Sequence, residues 1–125
     1  MPAQIEHLNF TVPDPDATAA WLCDVFGWHI RWQGDAIHGG RSVHVGTDDT
    51  YVAVYNPGKP LSAVDNSYTK TGGLNHLGIT VDDLDATEAR VKAQGFETYS
   101  HANYDPGRRF YFRDDTGIEF EVVEY

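Results

Sequence analysis

Several features on which whole classes of protein depend are scarce in this sequence. Cys23 is the one cysteine among 125 residues, so no disulfide can form within the chain, and a reducing, cytoplasmic environment is expected. No apolar run approaches the roughly 20 residues of a membrane-spanning helix. The first residues, MPAQIEHLNF, lack the basic and apolar regions of a signal peptide. The sequence therefore predicts a cytoplasmic protein with no membrane partner.

Basic residues are also few. The chain has 9 lysines and arginines against 19 aspartates and glutamates, which gives a net charge of −10. Because a protein that binds the phosphate backbone needs a basic patch, a nucleic-acid partner is not expected. The hydrophobic fraction of 41% is enough to bury a core, so the length of 125 residues predicts a single domain, 1–125.

What the sequence does contain is an internal repeat. The segment HLNFTV at 7–12 matches HLGITV at 76–81, and the similarity continues for eight more positions. Nine of the 14 aligned positions are identical at a constant offset of 69. The first copy then reaches Gly27 and the second reaches Gly95, where the offset is 68. A repeat of this length indicates two structural modules with the same layout.

The repeat divides the chain into a module at 1–58, a linker at 59–73 rich in proline, glycine, serine and threonine, and a module at 74–125. In each module an alternating strand comes first, at 5–12 and 74–81, and an acidic helix start follows. We predict an α+β fold of two βαβββ modules. The later strands are expected near 28–33, 42–46 and 51–55, and near 96–101, 109–113 and 118–124.

The two opening strands separate apolar from polar side chains. In the first strand Leu8 and Phe10 lie on one face and His7 on the other, and in the second strand Leu77 opposes His76. One helix can cover only one face of each sheet, so the apolar side chains belong beneath it. The two histidines, which occupy the same position of the repeat, are therefore expected on the uncovered face.

The last strand carries a third candidate metal ligand. Phe120 alternates with Glu119 and Glu121, which places both glutamates on the same kind of face as the histidines. Two histidines and one carboxylate, here His7, His76 and Glu121, form the set that holds Fe(II) or Mn(II) and leaves coordination positions open for a substrate. Zinc binds the same ligand types.

These residues give the chain a resemblance to the vicinal-oxygen-chelate superfamily, which includes glyoxalase I, fosfomycin-modifying enzymes, extradiol dioxygenases and bleomycin resistance proteins. The motifs that carry the resemblance are IEHLNFTV with a later FGW, NHLGITVDDLDA and FYFRDDTGIEFEVVE. The family's three ligand positions fall on His7, His76 and Glu121. The resemblance implies that the two βαβββ modules form a curved mixed sheet around one divalent ion, whether Fe, Mn, Zn, Ni or Co.

A fourth ligand used by glyoxalase I-like members is missing. In those members it lies on the last strand of the first module. The offset of 69 places Val52 opposite Glu121 in the repeat, whereas alignment of the two DDT segments, at an offset of 66, places Tyr55 there. Neither side chain is a carboxylate, so a site with three protein ligands is expected.

Other residues are candidates for the walls and the chemistry of the site. Three are expected to contact a substrate: His44 in a strand of the first module, Tyr104 in a turn, and Arg109, whose guanidinium suits an anion. Two are candidate catalytic residues: Tyr111, at an aromatic position of the family, and Glu119, which shares a face with the metal-binding glutamate and is suited to carry a proton.

Two functions remain open at this point. The first is a metal-dependent enzyme, a lyase, isomerase or dioxygenase, that acts on a small oxygen-bearing substrate by Lewis-acid stabilisation of an enolate or oxyanion. The alternative is a metal-free protein that sequesters a small molecule, as bleomycin resistance proteins do. The resemblance also implies a homodimer, in which either one chain or two chains supply the three ligands.

Overall fold

The computed structural model describes residues 1–36 and 38–125 of the chain. The chain separates into two compact units, Met1–Leu61 and Ser62–Tyr125. Each unit has a four-stranded mixed sheet and an α-helix, as predicted. No helix in the described part of the chain is both long and apolar enough to cross a membrane.

The first unit contains one complete βαβββ module. Its sheet has the strand order β1-β4-β3-β2. β1 runs parallel to β4, and the other neighbouring strands are antiparallel. The elements are β1 (His7–Thr11), α1 (Pro15–Phe26), β2 (His29–Asp35), β3 (Arg41–Gly46) and β4 (Tyr51–Asn56).

The second unit repeats this topology. Its sheet has the order β5-β8-β7-β6, again with the first and last strands of the module parallel. A short 3₁₀ turn at Ser67–Thr69 precedes the module. The elements are β5 (Leu77–Thr80), α2 (Leu84–Ala93), β6 (Thr98–Tyr104), β7 (Gly107–Arg113) and β8 (Glu119–Glu124).

Equivalent aspartates start both helices. The Asp14 carboxylate accepts a hydrogen bond from the Ala17 backbone N–H at 3.1 Å, and the Asp83 carboxylate accepts one from Ala86 at 3.0 Å. Each carboxylate accepts a hydrogen bond from an N–H group that has no partner within the first turn of the helix. Gly27 ends α1 with φ at 70°, a left-handed conformation that glycine adopts without strain.

The apolar faces of both sheets lie beneath the helices. The apolar side chains on the helix-covered faces of the inner strands are buried, as the sequence pattern predicts. The opposite faces of the sheets therefore carry the polar side chains that form the candidate site. The buried residues include Phe10, Val12, Leu22, Val25, Val43, Val45 and Val54 in the first unit, and Leu84, Val91, Phe110, Phe112, Phe120 and Val122 in the second.

The strand register corrects one expectation from the sequence. In the second sheet Glu121 pairs with Gly78. In the repeat, Gly78 corresponds to Asn9, and Asn9 pairs with Ala53 in the first sheet. Ala53 is therefore the counterpart of Glu121, because the offset of 68 seen at the helix ends persists into the last strands. It also lacks a carboxylate, so the first unit has no fourth ligand at this position. The two positions expected from sequence alignment were wrong: Val52, which is buried on the helix-covered face, and Tyr55.

Candidate metal and substrate site

The second unit brings two of the three predicted ligands together. His76 directly precedes β5, and Glu121 lies in β8 on the sheet face opposite α2. The Nε2 atom of His76 is 3.8 Å from Oε1 of Glu121. Gly78 of β5 is the strand partner of Glu121, and a Cβ atom at that position would lie 3.9 Å from the same oxygen, an ordinary van der Waals distance.

A preceding polar residue orients each histidine. Nδ1 of His76 is 2.5 Å from the Asn75 side-chain oxygen, and Nδ1 of His7 is 2.8 Å from a carboxylate oxygen of Glu6. Each contact engages Nδ1 and leaves Nε2 for a ligand, an arrangement typical of metal-binding histidines. Sequence analysis missed both partners, although a polar residue before each histidine, at the repeat offset of 69, was a signal for them.

The far oxygen of Glu121 is held by two donors. Tyr111 donates its hydroxyl to Oε2, and Nη1 of Arg109 donates to the same oxygen at 3.4 Å. The hydrogen bond to Glu121, with burial and the negative charge of that glutamate, raises the pKa of Tyr111 to about 12. The phenol is therefore protonated at neutral pH and acts as a donor, while Oε1 of Glu121 faces His76.

Arg109 is packed under Tyr104. The guanidinium carbon lies 4.6 Å from the centre of the Tyr104 ring, close enough for a cation–π contact. The Arg109 side chain is only 12% exposed. Its Nε and Nη2 atoms are buried and find no hydrogen-bond acceptor in the described part of the chain. The structure thus places Arg109 beside Glu121 and Tyr104 against Arg109, so two of the predicted substrate-contacting residues lie together.

Glu119 is the most buried carboxylate near the site, at 5% exposure. It accepts hydrogen bonds from Tyr68 and, at 2.6 Å, from Tyr99, and it pairs with Arg113 at 3.2 Å. Burial, followed by the charge of Glu121, raises the pKa of Glu119. Sequence analysis missed Tyr68 because it lies in the irregular segment between the modules, where no periodicity indicates direction.

The first unit presents a row of aromatic rings. His7 stacks on Tyr51 with ring centres 4.9 Å apart, Tyr51 stacks on His44 at 4.7 Å, and Trp32 contacts His44 at 5.0 Å. Burial, then the positive charges of His7 and Arg31, lowers the pKa of His44. His44 is therefore mostly neutral at pH 7, and the row of rings gives the polar face of this sheet an aromatic lining.

His101 lies away from these residues. Its Nε2 is 2.7 Å from a carboxylate oxygen of Glu88 on α2, and its ring stacks on Phe110 beneath the helix. Hydrogen bonds from Thr98 and His101, helped by the charges of His101 and Lys92, outweigh burial and lower the pKa of Glu88. His101 thus joins a cluster on the helix-covered side of the second unit.

The predicted ligands are divided between the units. His7 belongs to the first unit, and His76 and Glu121 belong to the second. Within residues 1–36 and 38–125, no group of three or more histidine, cysteine, aspartate or glutamate side chains is placed to hold a metal ion. The pair of His76 and Glu121 is therefore the part of the proposed ligand set that the structure brings together.

Comparison with known proteins assigns the chain to one family. A family model described as the Glyoxalase/Bleomycin resistance protein/Dioxygenase superfamily matches residues 4–122. The uncharacterized protein YaeR of Escherichia coli K12 is 26% identical over 133 aligned positions, which cover 97% of this chain and 95% of YaeR.

Solved structures share the fold. A glyoxylase/bleomycin resistance protein/dioxygenase domain from Frankia sp. EAN1pec is 22% identical with a TM-score of 0.82, covering 99% of this chain and 93% of that one. The fosfomycin resistance protein FosX from Listeria monocytogenes, complexed with Mn(II) and sulfate, is 20% identical with a TM-score of 0.75, covering 100% and 94%.

Proposed function

Because the chain belongs to the Glyoxalase/Bleomycin resistance protein/Dioxygenase superfamily, we propose that it is a metal-dependent enzyme acting on a small substrate with two neighbouring oxygen atoms. His7, His76 and Glu121 would hold one divalent ion. The observation that carries this proposal is the approach of a nitrogen and a carboxylate oxygen, His76 Nε2 and Glu121 Oε1, to 3.8 Å on the uncovered sheet face.

The donor atoms present fit a divalent first-row metal. Imidazole nitrogen and carboxylate oxygen suit Mn, Fe, Co, Ni and Zn. The contacts of Asn75 and Glu6 with the Nδ1 atoms leave both histidines with Nε2 as the ligand atom, and Tyr111 fixes the carboxylate. The Mn(II) in the FosX structure, which has a similar fold, supports a divalent ion here.

The chemistry divides between the ion and the side chains around it. When bound, the ion supplies Lewis-acid stabilisation of a developing enolate or oxyanion. Tyr111 and Arg109 hold Glu121 in place through Oε2. Glu119, two residues earlier on the same strand face, is the candidate proton carrier, and Tyr68 and Tyr99 donate hydrogen bonds to its carboxylate.

The second candidate function is metal-free binding of a small molecule. The row of rings formed by Trp32, His44, Tyr51 and His7 favours it, since aromatic side chains bury a large apolar area against a ligand. The net charge of −10 also suits a cationic ligand. This binding role would need none of the three ligand residues.

Activity assays separate the two functions. The purified protein, loaded in turn with Fe, Mn, Zn, Ni and Co, is tested on α-ketoaldehyde, catechol and epoxide substrates. We expect metal-dependent turnover of one class that His76→Ala abolishes and the matched His101→Ala keeps. Binding of a planar cation with no metal-dependent turnover in any assay would favour the alternative.

We also propose that the protein is a homodimer, as the family resemblance implies. The three ligand residues are then supplied either within each chain or by both chains. Sedimentation equilibrium measures the mass directly, and a mass of one chain at micromolar concentration would contradict the dimer.

A further inference from the structure

Arg109 carries a hydrogen-bonding edge that nothing in the described part of the chain occupies. Its Nη1 donates to Glu121, whereas Nε and Nη2, which together form the other edge of the guanidinium, are buried without an acceptor. A buried donor without a partner destabilises the folded protein. The arrangement therefore favours a ligand that brings two acceptor oxygens to this edge.

The same molecule shows what this edge binds. Arg41 in β3 uses its Nε and Nη2 atoms to hold both carboxylate oxygens of Asp16, each at 2.8 Å. Such bidentate pairing is the geometry that arginine forms with carboxylates and phosphates. Arg109 offers the same two atoms with no carboxylate of the described residues on them, so an anion from outside the chain fits there.

Neighbouring arginines of β7 are already neutralised. Arg108 pairs with Asp85 at 3.4 Å and with Glu124 at 3.3 Å, and Arg113 pairs with Glu119 at 3.2 Å. Arg109 thus differs from both in keeping a complete edge for a ligand.

The surroundings of Arg109 set the direction of approach. The ring of Tyr104 covers one face of the guanidinium, 4.6 Å from its central carbon, and Nη1 is directed at Glu121. An anion pairs with the Nε–Nη2 edge in the plane of the guanidinium, and because both atoms are buried, the side chains that cover them must move aside to admit it. This edge belongs to a side chain that also contacts the proposed metal-binding carboxylate, so one substrate could engage both.

We propose that Arg109 anchors an oxyanion group of the substrate, a carboxylate or a phosphonate, through its Nε–Nη2 edge. This inference rests on the proposed function and narrows its substrate class to small anionic compounds. The protein as a whole carries a charge of −10 and repels anions at long range, so a built cationic contact is needed to hold one.

The test follows the arginine Nε–H resonances by NMR in protein freed of metal with a chelator. Three small probes are titrated: lactate, methylphosphonate, and lactamide, which is the uncharged counterpart of lactate. We expect a saturable shift of the Arg109 Nε–H with one or both anions and none with lactamide. The stronger of the two anions identifies the group, a carboxylate or a phosphonate, that the edge prefers.

Two variants make the test specific. Arg109→Gln should weaken anion binding by about tenfold or more, because a charge-assisted pair of hydrogen bonds is lost. Arg41→Gln, which removes an arginine whose edge is already filled, should leave anion binding unchanged. An equal response to lactamide, or unchanged anion affinity in Arg109→Gln, would overturn the proposal.

Failure of this inference can be distinguished from failure of the proposed function. His76→Ala should lose Mn(II) binding and yet keep the anion response in metal-free protein. A wild-type protein that binds Mn(II) but shows no anion response at Arg109 contradicts this inference alone. An anion response in a protein that binds no divalent ion contradicts the metal-dependent function alone.

Discussion

At the scale of single residues, the proposed metal site depends on which atom of each side chain is held by a neighbour and which atom is left to bind the metal. Asn75 and Glu6 engage the Nδ1 atoms of the two histidines, and Tyr111 engages Oε2 of Glu121. The sequence predicted the three ligand types but none of these orienting contacts. Strand alternation tells on which face of the sheet a side chain lies, but it does not tell which neighbour that side chain contacts.

Tyr111 offers a direct test of such a contact. In Tyr111→Phe the hydroxyl that holds Oε2 of Glu121 is lost, and only the longer contact from Arg109 remains. We expect metal affinity to fall by about tenfold to a hundredfold, as when a partner of a metal ligand is removed. Mn(II) titration followed by electron paramagnetic resonance measures the affinity.

The matched control is Tyr99→Phe. Tyr99 stacks near Tyr111, with ring centres 6.4 Å apart, but donates to Glu119. Its Mn(II) affinity should stay within a factor of about three of wild type, since no contact to a proposed ligand changes. Equal losses in the two variants would show that the Tyr111 hydroxyl has no specific role.

Asp114 gives a pH-dependent prediction away from the site. Its Oδ1 accepts hydrogen bonds from the Thr116 and Ile118 backbones, while Oδ2 is buried with no donor in the described residues. Burial raises the pKa of Asp114 above its usual 3.8. The native carboxyl therefore keeps its proton where the unfolded one has lost it, so this group's contribution to stability falls as pH rises above 3.8.

Asp114→Asn keeps the Oδ1 acceptor but cannot ionise. Relative to this variant, we expect the wild type to lose unfolding free energy as the pH rises above 3.8. Urea unfolding at several pH values measures the difference. A difference in unfolding free energy that stays constant with pH, or that grows in favour of the wild type as pH rises, would contradict a raised pKa for Asp114.

At the scale of elements, the sequence predicted the order and type of every strand and helix in the two modules. Strict alternation in β1 and β5, and the alternation of Phe120 and Val122 with the glutamates of β8, identified the covered faces, because one buried face fixes the direction of every second side chain. The position in β4 that corresponds to Glu121 was predicted wrongly. The opening strands of the two modules are 69 positions apart, whereas the closing strands are 68 apart. Ala53, not Val52, faces the site side of that sheet.

The segment between the modules was predicted only as a linker. Within it, Tyr68 at the 3₁₀ turn donates its hydroxyl to the buried Glu119 in β8. Without periodicity, nothing in the local sequence indicates that this tyrosine is directed at a strand 51 residues later. The Tyr68 side chain thus attaches this segment to the second sheet.

Loss of that contact should be measurable. Tyr68→Phe leaves the buried Glu119 with one donor fewer, and we expect the unfolding free energy to fall by about 1 kcal/mol. Denaturant unfolding gives the value, and hydrogen exchange of the 62–73 segment should accelerate. Tyr125→Phe, at a residue that is 75% exposed, is the control and should match wild type. Unaltered stability and exchange in Tyr68→Phe would show that the contact is not formed in solution.

At the scale of the whole molecule, the proposed ligands are distributed over two repeated units. The first unit contributes His7 with a row of aromatic rings, and the second contributes His76 and Glu121 with Arg109 and Tyr111. The repeat predicted this division, because equivalent histidines open both modules. The sequence could not predict the reaction, since this fold supports many chemistries through different side chains on the same sheets.

Subunit mixing tests how the proposed homodimer supplies its ligands. If the three residues come from two chains, a dimer of one His7→Ala chain and one His76→Ala chain contains one site with both defects and one intact site. We expect Mn(II) binding to return in mixed dimers to about half the wild-type level, while each variant alone binds none. No recovery on mixing would indicate that each chain supplies all three ligands itself.

The most direct test of the central claim is the metal content of the protein. Equilibrium dialysis against Mn(II) should give about one ion per chain for the wild type, the stoichiometry expected of one site with three protein ligands. His76→Ala and Glu121→Gln should bind none at the same concentration, whereas His101→Ala, which alters a histidine on the helix-covered side, should bind as the wild type does. An unchanged stoichiometry in His76→Ala would contradict the account.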